Sequence, residues 1–361
     1  MLERMPSESR WTRDEKTGRP VRQVTCAPAI SHHPFFLAPA YDGSGRYLIF
    51  VSFRTGSGQL YAEDSREGGI LRLTDVEALD EWSVYPSGEH VYFAANGGAM
   101  RVSLADGTVE TLLCAQACRE RFGGPVGEGT TALTKDGRFW AVRVKQEKGF
   151  AIIIRDNASG EWSLSYEGPM VAHLQFCPDD DNLLFFAGPL TDRVWVLDRK
   201  RGQARRIYTR NAAAKQWITH ESWIPGRREL SLVDWPHGVL GVNVDTGAVR
   251  RIADFNAWHA VCNEDGTLMA ADTNFPDRGI FLFDPRREGD APRLLCCPEA
   301  SCMGAHWAEP FPYDNGPVRV YAPQHTHPHP RFSPDGSKLV FTSDRSGTAQ
   351  LYEINLKDKG D

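Results

Sequence analysis

Residues 333–343 read SPDGSKLVFTS and contain the pattern that decides the fold. A Pro-Asp-Gly turn precedes a short apolar run, as in a hairpin between two strands. Comparable stretches recur along the chain: AYDGSGRYLIFV (40–51), YPSGEHVYFAA (85–95), TKDGRFWAVRV (134–144), CPDDDNLLFFA (177–187), IPGRRELSLV (224–233) and NEDGTLMAA (263–271). Each is followed by another apolar run and an outer strand such as ARRIY or VRRIA. Four short strands per unit, repeated at about 40–45 residues without helical periodicity, predict an all-β, seven-bladed β-propeller.

The two chain ends are expected to complete one blade together. After QLYEIN (350–355) too little chain remains for the outer strand of the seventh unit. Residues 21–26, VRQVTC, match the outer-strand pattern at the other end. An N-terminal strand in the last blade would close the ring without an open seam. Residues 1–20 are then expected to be a polar tail, and residues 21–361 a single propeller domain.

Composition and charge indicate which classes of binding partner are not expected. The chain has 361 residues, a hydrophobic content of 41% and a net charge of -6, which gives no reason to expect nucleic acid. No stretch has the length of a membrane-spanning helix, and the N-terminus lacks the apolar region of a secretory signal. Eight scattered cysteines without CxxC pairs indicate reduced thiols. We therefore expect a cytoplasmic protein that binds neither nucleic acid nor membrane.

Histidines share one position of the repeat when the blades are aligned on their turns. That position holds His173, His220, His259, His329 and Glu81, with Phe36 and Thr130 in blades 1 and 3. The first strand of each blade lines the channel of a propeller, so side chains at one height should converge. Gln324 and His327 lie beside His329. Imidazoles with an amide oxygen suit Mn, Fe, Co, Ni or Zn better than calcium, which predicts a divalent metal site.

Other groups are expected at the same face of the ring. The loops after the second strands carry Arg54, Arg345 and His237. Either arginine could grip a carboxylate through two hydrogen bonds. His33, just upstream of Phe36, and Glu81 are further candidates for substrate binding. The long segment 297–322, rich in proline and aromatic residues, is expected to form a lid or a binding wall.

Four segments resemble one known family. THESWIPGRRELSLV (219–233) and QHTHPHPRFSPDGSKLVFTSDRSGTAQLYEINL (324–356) resemble the oligogalacturonate lyases, seven-bladed propellers that cleave short pectin-derived uronides. SHHPFF (31–36) and WHAVCNEDGTLMAADT (258–273) also fit. The resemblance implies a manganese ion held by His220, Gln324, His327 and His329, with His325 outside the set. In blade 4, however, the histidine-rich HEGPH motif of the family is replaced by AGPL (187–190).

The resemblance also implies a reaction. In β-elimination a base removes the C5 proton, which is α to the uronate carboxylate, while a divalent ion neutralises the charge that develops. His173 is the first candidate for the base, followed by His259 and His237. The expected partner is a small acidic oligosaccharide, and the altered blade 4 favours a uronide other than oligogalacturonate.

Two other classes remain open. The chain could be a metal-dependent isomerase, epimerase or hydrolase of a sugar acid, using the same ion. It could also be a non-enzymatic propeller that resembles the TolB type, whose repeats carry a similar SPDG pattern.

Overall fold

The computed structural model describes residues 2–274, 276–302 and 324–357. In these ranges the strands form seven antiparallel sheets of four or five strands. The seven-bladed β-propeller expected from the sequence is thereby confirmed. The chain divides into two compact units, residues 1–7 with 37–209 and residues 8–36 with 210–361. Among the described residues no helix is long and apolar enough to cross a membrane.

Four short strands precede the first hairpin. They are β1 (Glu3–Met5), β2 (Arg10–Arg13), β3 (Pro20–Gln23) and β4 (Ser31–His32). Only β1 belongs to the first unit, where it pairs with the outer strand of blade 1.

The first unit contains blades 1 to 4. In blade 1, β5 (Tyr47–Ser52) is followed in the sheet by β6 (Gln59–Asp64), β7 (Ile70–Arg72) and β1. Blade 2 contains β8 (Leu79–Ser87), β9 (His90–Ala95), β10 (Gly98–Ser103) and β11 (Val109–Leu113). Blade 3 contains β12 (Ala132–Leu133), β13 (Phe139–Gln146), β14 (Gly149–Asp156) and β15 (Trp162–Gly168). Blade 4 contains β16 (Ala172–Cys177), β17 (Asp180–Ala187), β18 (Val194–Asp198) and β19 (Gln203–Tyr208).

The core of the first unit lies between successive blades. Trp140 and Val142 of β13 pack in one apolar cluster with Tyr92 of blade 2. The alternate residues of the same hairpin, such as Ala141 and Ile152, pack against blade 4 instead. Successive side chains of a strand point to opposite faces, so a strand covered on both faces reads as a continuous apolar run. This explains runs such as FWAVRV and AIII.

One helix departs from the all-strand expectation. Helix α1 (Ala115–Phe122) lies between β11 and β12, and it ends at Gly123, whose φ of 81° is left-handed. Only Cys118 and Phe122 are buried, in the cluster shared by blades 2 and 3. Eight residues give two turns, which is too short for a helical period to be recognised in the sequence.

The second unit contains blades 5 to 7. Blade 5 contains β20 (Trp217–Ile224), β21 (Glu229–Trp235), β22 (Gly238–Asn243) and β23 (Val249–Ala253). Blade 6 contains β24 (Ala257–Cys262), β25 (Met269–Thr273), β26 (Ile280–Phe283) and β27 (Arg293–Cys296). A single 3₁₀ turn, Gln324–Thr326, precedes blade 7. In blade 7, β28 (Arg331–Phe332) is followed in the sheet by β29 (Lys338–Ser343), β30 (Gln350–Asn355), β3 and β2.

The N-terminal strand pairs into the last blade as expected. Val21 lies opposite Ile354 in the ladder between β3 and β30. Val21 and Val24 are fully buried, so this strand contributes to the core and to the ladder.

The expectation of a simple polar tail over residues 1–20 needs correction. This stretch supplies β1 and β2, which extend sheet edges. All four residues of β2 are exposed, because an edge strand needs backbone partners and no buried side chain. Asp14 is buried, and its Oδ2 accepts a 2.6 Å hydrogen bond from the Cys297 backbone. That the propeller forms a single domain stays a prediction.

Candidate functional site

Strand pairing confirms the shared position of three of the four histidines, His220, His259 and His329. In blades 5, 6 and 7 the inner hairpin has a pair of partners seven residues apart: Trp223 with Leu230, Cys262 with Met269 and Phe332 with Leu339. His220, His259 and His329 each lie three residues before the first partner. In blade 4 no partners of β16 and β17 are seven residues apart: Phe176, three residues after His173, pairs with Leu184, eight residues on. That His173 shares the position therefore stays a prediction.

The same rule corrects two of the aligned positions. In blade 2 Tyr85 pairs with Tyr92, which places Trp82 at the shared position. In blade 1 Tyr41 pairs with Leu48, which places Ala38 there. The sequence alignment that gave Glu81 and Phe36 is therefore wrong, because it anchored these blades on the wrong turn residue. Thr130 of blade 3 keeps its position, since Leu133 pairs with Trp140.

The histidine position coincides with a local irregularity of the inner strand. The ladder shifts between Ala172 and Gln175, between Thr219 and Ser222, and between Ala257 and Ala260. His173, His220 and His329 also have positive φ angles of 53°, 47° and 46°. Bulges re-aim a side chain, and non-glycine residues in the left-handed region occur where surrounding structure holds them. The backbone is thus bent at the positions of the predicted site.

Four histidines of the second unit form one buried cluster. The ring centre of His259 lies 3.9 Å from that of His329, 4.2 Å from that of His220 and 5.4 Å from that of His327. All four side chains are at most 9% exposed. Two aromatic residues form its walls: Phe36 lies 5.0 Å from His259, and Trp258 lies 4.5 Å from His220. The structure therefore brings three of the four residues implied as metal ligands together with a candidate base.

Asp272 orients the central histidine. Its Oδ2 lies 2.8 Å from Nδ1 of His259, and its Oδ1 accepts a 2.7 Å hydrogen bond from the His259 backbone. With Asp272 as a carboxylate, Nδ1 of His259 donates and Nε2 carries the lone pair. The same Oδ2 accepts from the His329 backbone at 3.2 Å. A carboxylate behind an imidazole is the usual support of a histidine that binds a metal, and sequence analysis missed it because Asp272 lies on the next strand.

The chemistry of the cluster fits a metal ion. Burial and the neighbouring His259 lower the pKa of His327 and of His329 well below the ordinary value. Neutral imidazole is the form that binds metal. Nδ1 of His327 is buried without a hydrogen-bond partner among the described residues, and such a nitrogen normally has one. A metal ion would supply that missing partner.

The nitrogen atoms themselves are not arranged around one point. Within residues 2–274, 276–302 and 324–357, no three His, Cys, Asp or Glu side chains are grouped so as to hold an ion. Since the torsion that turns an imidazole ring is broad, ring rotation could bring nitrogens of neighbouring rings toward a common centre. The side chain of Gln324 lies outside the described part of the structure, as do residues 303–323 of the expected lid.

Three other predicted residues of the second unit lie in different surroundings. His33 is buried, with Nδ1 2.7 Å from the carbonyl of Pro34 and Nε2 3.4 Å from that of Pro328. Desolvation lowers the pKa of His33 to about 4, so it is neutral at physiological pH. His237 is exposed in the turn between β21 and β22. Arg345 lies over the ring of Tyr352, 4.1 Å from its centre.

The two arginines expected to bind substrate have the same internal contact. Arg54 lies 4.9 Å from the ring centre of Tyr61 in the first unit, and Arg345 lies over the ring of Tyr352 in the second. In both pairs the tyrosine follows the arginine by seven residues in the sequence. Each tyrosine belongs to a QLY sequence, on β6 in blade 1 and on β30 in blade 7. The repetition indicates that the arginines brace their blades. Their roles in substrate binding stay predictions.

In the first unit, His173 has a partner that sequence analysis did not find. Nη2 of Arg193 lies 3.2 Å from Nδ1 of His173. A guanidinium can only donate, so Nδ1 accepts and the proton of the neutral ring is on Nε2. Arg193 is 9% exposed. Glu81 is half-buried in β8, one residue after Asp80.

Comparisons with known proteins agree with the resemblance. The oligogalacturonate lyase of Dickeya dadantii (strain 3937) is 26% identical over 384 residues, covering 96% of this chain and 95% of the relative. The oligogalacturonide lyase of Pectobacterium atrosepticum is 24% identical over 395 residues, with the same coverage of both chains. No family model matches the chain.

Solved structures support the same fold. An oligogalacturonate lyase in complex with manganese superposes with a TM-score of 0.81 at 20% identity, covering 99% of both chains. An oligogalacturonate lyase from Vibrio parahaemolyticus gives a TM-score of 0.80 at 18% identity, covering 100% of both. The sequence similarity thus extends along nearly the whole chain, and the seven-bladed fold is shared, so the chain is similar throughout to proteins named oligogalacturonate lyase.

Proposed function

We propose that the chain is a metal-dependent lyase that acts by β-elimination on short uronate oligosaccharides. The observation that carries this proposal is the buried histidine cluster around His259 in a chain similar to proteins named oligogalacturonate lyase. A manganese ion in one superposed structure supports manganese as the metal. The cytoplasmic location expected from the sequence stays a prediction.

The metal would be held within the second unit. His220, Gln324, His327 and His329 form the set that the family resemblance implies. We add His259, because Asp272 directs its free Nε2 lone pair away from the carboxylate and ring centres of three other histidines lie within 5.4 Å. When bound, a divalent ion supplies a Lewis acid that neutralises charge on the uronate carboxylate.

The elimination also needs a base. The C5–H bond breaks, its electrons form the C4=C5 double bond, and the C4–O bond breaks with its electrons on the leaving oxygen, which takes a proton from solvent. We assign the base to His173, which would accept the C5 proton at Nδ1 once Arg193 releases that atom. Arg193 is then a positioning residue that determines when the lone pair is available. His237 is exposed, which makes it a poorer candidate.

The altered blade 4 bears on the substrate. The AGPL segment carries no histidine, so we propose that oligogalacturonate is a poor substrate and that another uronide is preferred. A suitable panel contains short oligomers of galacturonate, glucuronate, mannuronate and guluronate. Each elimination creates a conjugated double bond, which is followed by ultraviolet absorbance.

The test combines this panel with manganese-loaded and chelator-treated protein. We expect unsaturated product from at least one uronide, and its loss after chelation. His173→Ala should keep its metal while kcat falls roughly 10²–10⁴-fold, the usual contribution of a general base. If metal-loaded protein gives no unsaturated product from any uronide, the lyase proposal is wrong, and isomerisation and hydrolysis of the same sugars are tested next.

A further inference from the structure

Trp258 and His259 occupy a bulge in the inner strand of blade 6. The register between β24 and β25 shifts at these two residues, which lie together opposite Asp272. In a regular strand neighbouring side chains point to opposite faces, whereas a bulge re-aims them. Here both rings lie beside His220, whose ring centre is 4.5 Å from that of Trp258 and 4.2 Å from that of His259. The bulge thus adds an indole to the histidine cluster.

The indole of Trp258 lies beside two of the histidines expected to hold the metal. It meets the ring of His220 at nearly a right angle, with an interplanar angle of 82° and ring centres 4.5 Å apart. It is nearly parallel to the ring of His327, at 26° and 6.5 Å. Both separations fall in the range at which aromatic rings attract one another.

Neighbouring rings are an important restraint on the orientation of His327. Its Nδ1 has no hydrogen-bond partner among the described residues, whereas Asp272 holds the ring of His259 through Nδ1. The torsion that turns an imidazole ring is broad, so packing has to limit the rotation of His327. The neighbouring ring centres belong to Trp258, to His259 at 5.4 Å and to His329 at 5.5 Å. Of these three rings, only the indole is not itself a candidate ligand.

The position of Trp258 is fixed by further tryptophans. Trp258 is 5% exposed and belongs to one apolar cluster with Trp217 and Trp235. Their ring centres lie 5.6 Å and 6.0 Å from that of Trp258. Trp235 is held in turn, because its Nε1 donates to the carbonyl of Asn274 at 3.2 Å. The indole of Trp258 therefore forms a firm wall for the histidines.

We propose that Trp258 is a positioning residue of the metal centre, where its indole limits the rotation of the His220 and His327 rings. This inference rests on the proposed function for the presence of the metal. Ligands that are restricted before binding lose less conformational entropy when the ion binds, which raises affinity. Trp258 supplies no ligand atom and takes no part in bond breaking.

The test measures the manganese affinity of the full chain by competition with a chelator, and the electron paramagnetic resonance spectrum of the bound manganese. Trp258→Leu should weaken manganese binding roughly 10–100-fold, as for other groups that orient metal ligands. It should also broaden the resonance lines, because the ligand geometry becomes less uniform. Trp258→Phe keeps an aromatic face and should retain most of the affinity.

Trp235→Leu is the matched control. It removes an equally buried indole from the same apolar cluster, and the ring contacts of Trp235 among the described residues are with Trp217 and Trp258. The control should bind manganese as wild type does and give the same spectrum. An equal loss of affinity in Trp235→Leu would reduce the effect to packing and overturn the inference.

The other outcomes are equally decisive. Wild-type affinity and spectrum in Trp258→Leu, an equal loss in Trp258→Phe, or a wild-type protein that binds no manganese would overturn the inference. Thermal unfolding identifies a variant that fails to fold, and Trp258→Met then takes the place of Trp258→Leu. If manganese binding depends on Trp258 but no uronide is eliminated, the lyase proposal fails while the role of Trp258 stands.

Discussion

The carboxyl group of Asp80 makes the free energy of unfolding fall as the pH rises, which is the opposite of the usual effect of an aspartate. Desolvation raises the pKa of this carboxyl from 3.8 to about 7, although the backbone hydrogen bonds from Gly129 and Trp82 oppose the change. Between these values the folded state keeps a proton that the unfolded state has lost. The free energy of unfolding therefore falls as the pH rises from about 4 to about 7. The charged groups that face Asp80 are Arg143, which favours ionisation, and Glu128, which opposes it.

The size of the effect follows from the shift. A difference of about three pKa units corresponds to about 4 kcal/mol at 1.36 kcal/mol per unit, and partial exposure of Asp80 reduces this to about 2–4 kcal/mol. Asp80→Asn removes the titration, but its one amide oxygen can accept only one of the two backbone N–H groups, from Trp82 and Gly129, that bond to the two carboxyl oxygens. That loss costs about 1–3 kcal/mol at every pH, so the variant should be less stable than wild type at pH 4.5. Between pH 4.5 and pH 8 the stability difference should shift in favour of the variant by about 2–4 kcal/mol.

Urea unfolding followed by circular dichroism at several pH values between 4.5 and 8 provides the measurement. Glu128→Gln is the control, because it removes one negative charge from an exposed neighbour. A stability difference between Asp80→Asn and wild type that does not change with pH would refute the reasoning. So would a difference that shifts in favour of wild type as the pH rises.

Three further predictions concern the metal support, the braced blades and the closing strand. Asp272→Asn should weaken metal affinity about 10–100-fold, measured by competition with a chelator, whereas replacement of the exposed His237 by Ala should leave that affinity unchanged. Equal metal affinities of Asp272→Asn and wild type would contradict the role of Asp272 as the support of His259. Arg345→Ala should lower the free energy of unfolding by about 0.5–2 kcal/mol through the lost contact with Tyr352, with KM unchanged; a raised KM at unchanged stability would instead support substrate binding. Deleting residues 1–27 should cost at least about 3 kcal/mol, because Val21 and Val24 are fully buried, and an unchanged melting temperature would show that β3 does not belong to the last blade.

The structure also changes the expected effect of a shorter truncation. The sequence predicts that residues 1–18 can be removed with almost no effect, because the stretch is polar. Yet buried Asp14 accepts a hydrogen bond from Cys297, and leaving that amide without a partner costs about 1–3 kcal/mol. Removal of residues 1–18 is therefore now expected to destabilise the protein measurably.

The sequence was most informative where the signal is local. A Pro-Asp-Gly turn between two apolar runs defines a hairpin without reference to the rest of the chain, and seven such hairpins specify the propeller. The histidine position could be counted from the turn in blades 5 to 7. In blades 1 and 2 the same count gave the wrong residues, Phe36 and Glu81, because the loops between the strands differ in length by a residue or two. Only the hydrogen-bonded ladder determines which residues are partners.

The features that sequence analysis missed depend on contacts between distant residues. Asp272 lies 13 residues from His259, and nothing in the order of residues indicates that its carboxylate faces that imidazole. Arg193 and His173 lie on different segments of blade 4.

The metal content of purified protein, saturated with manganese and then desalted, tests the central claim most directly. Because His220, His259, His327 and His329 lie in one buried cluster, we predict about one divalent ion per chain by plasma mass spectrometry. His327→Ala and His259→Ala should each lose most of it, while His173→Ala should retain it. A wild-type protein that keeps no ion, or variants that keep as much as wild type, would contradict the account.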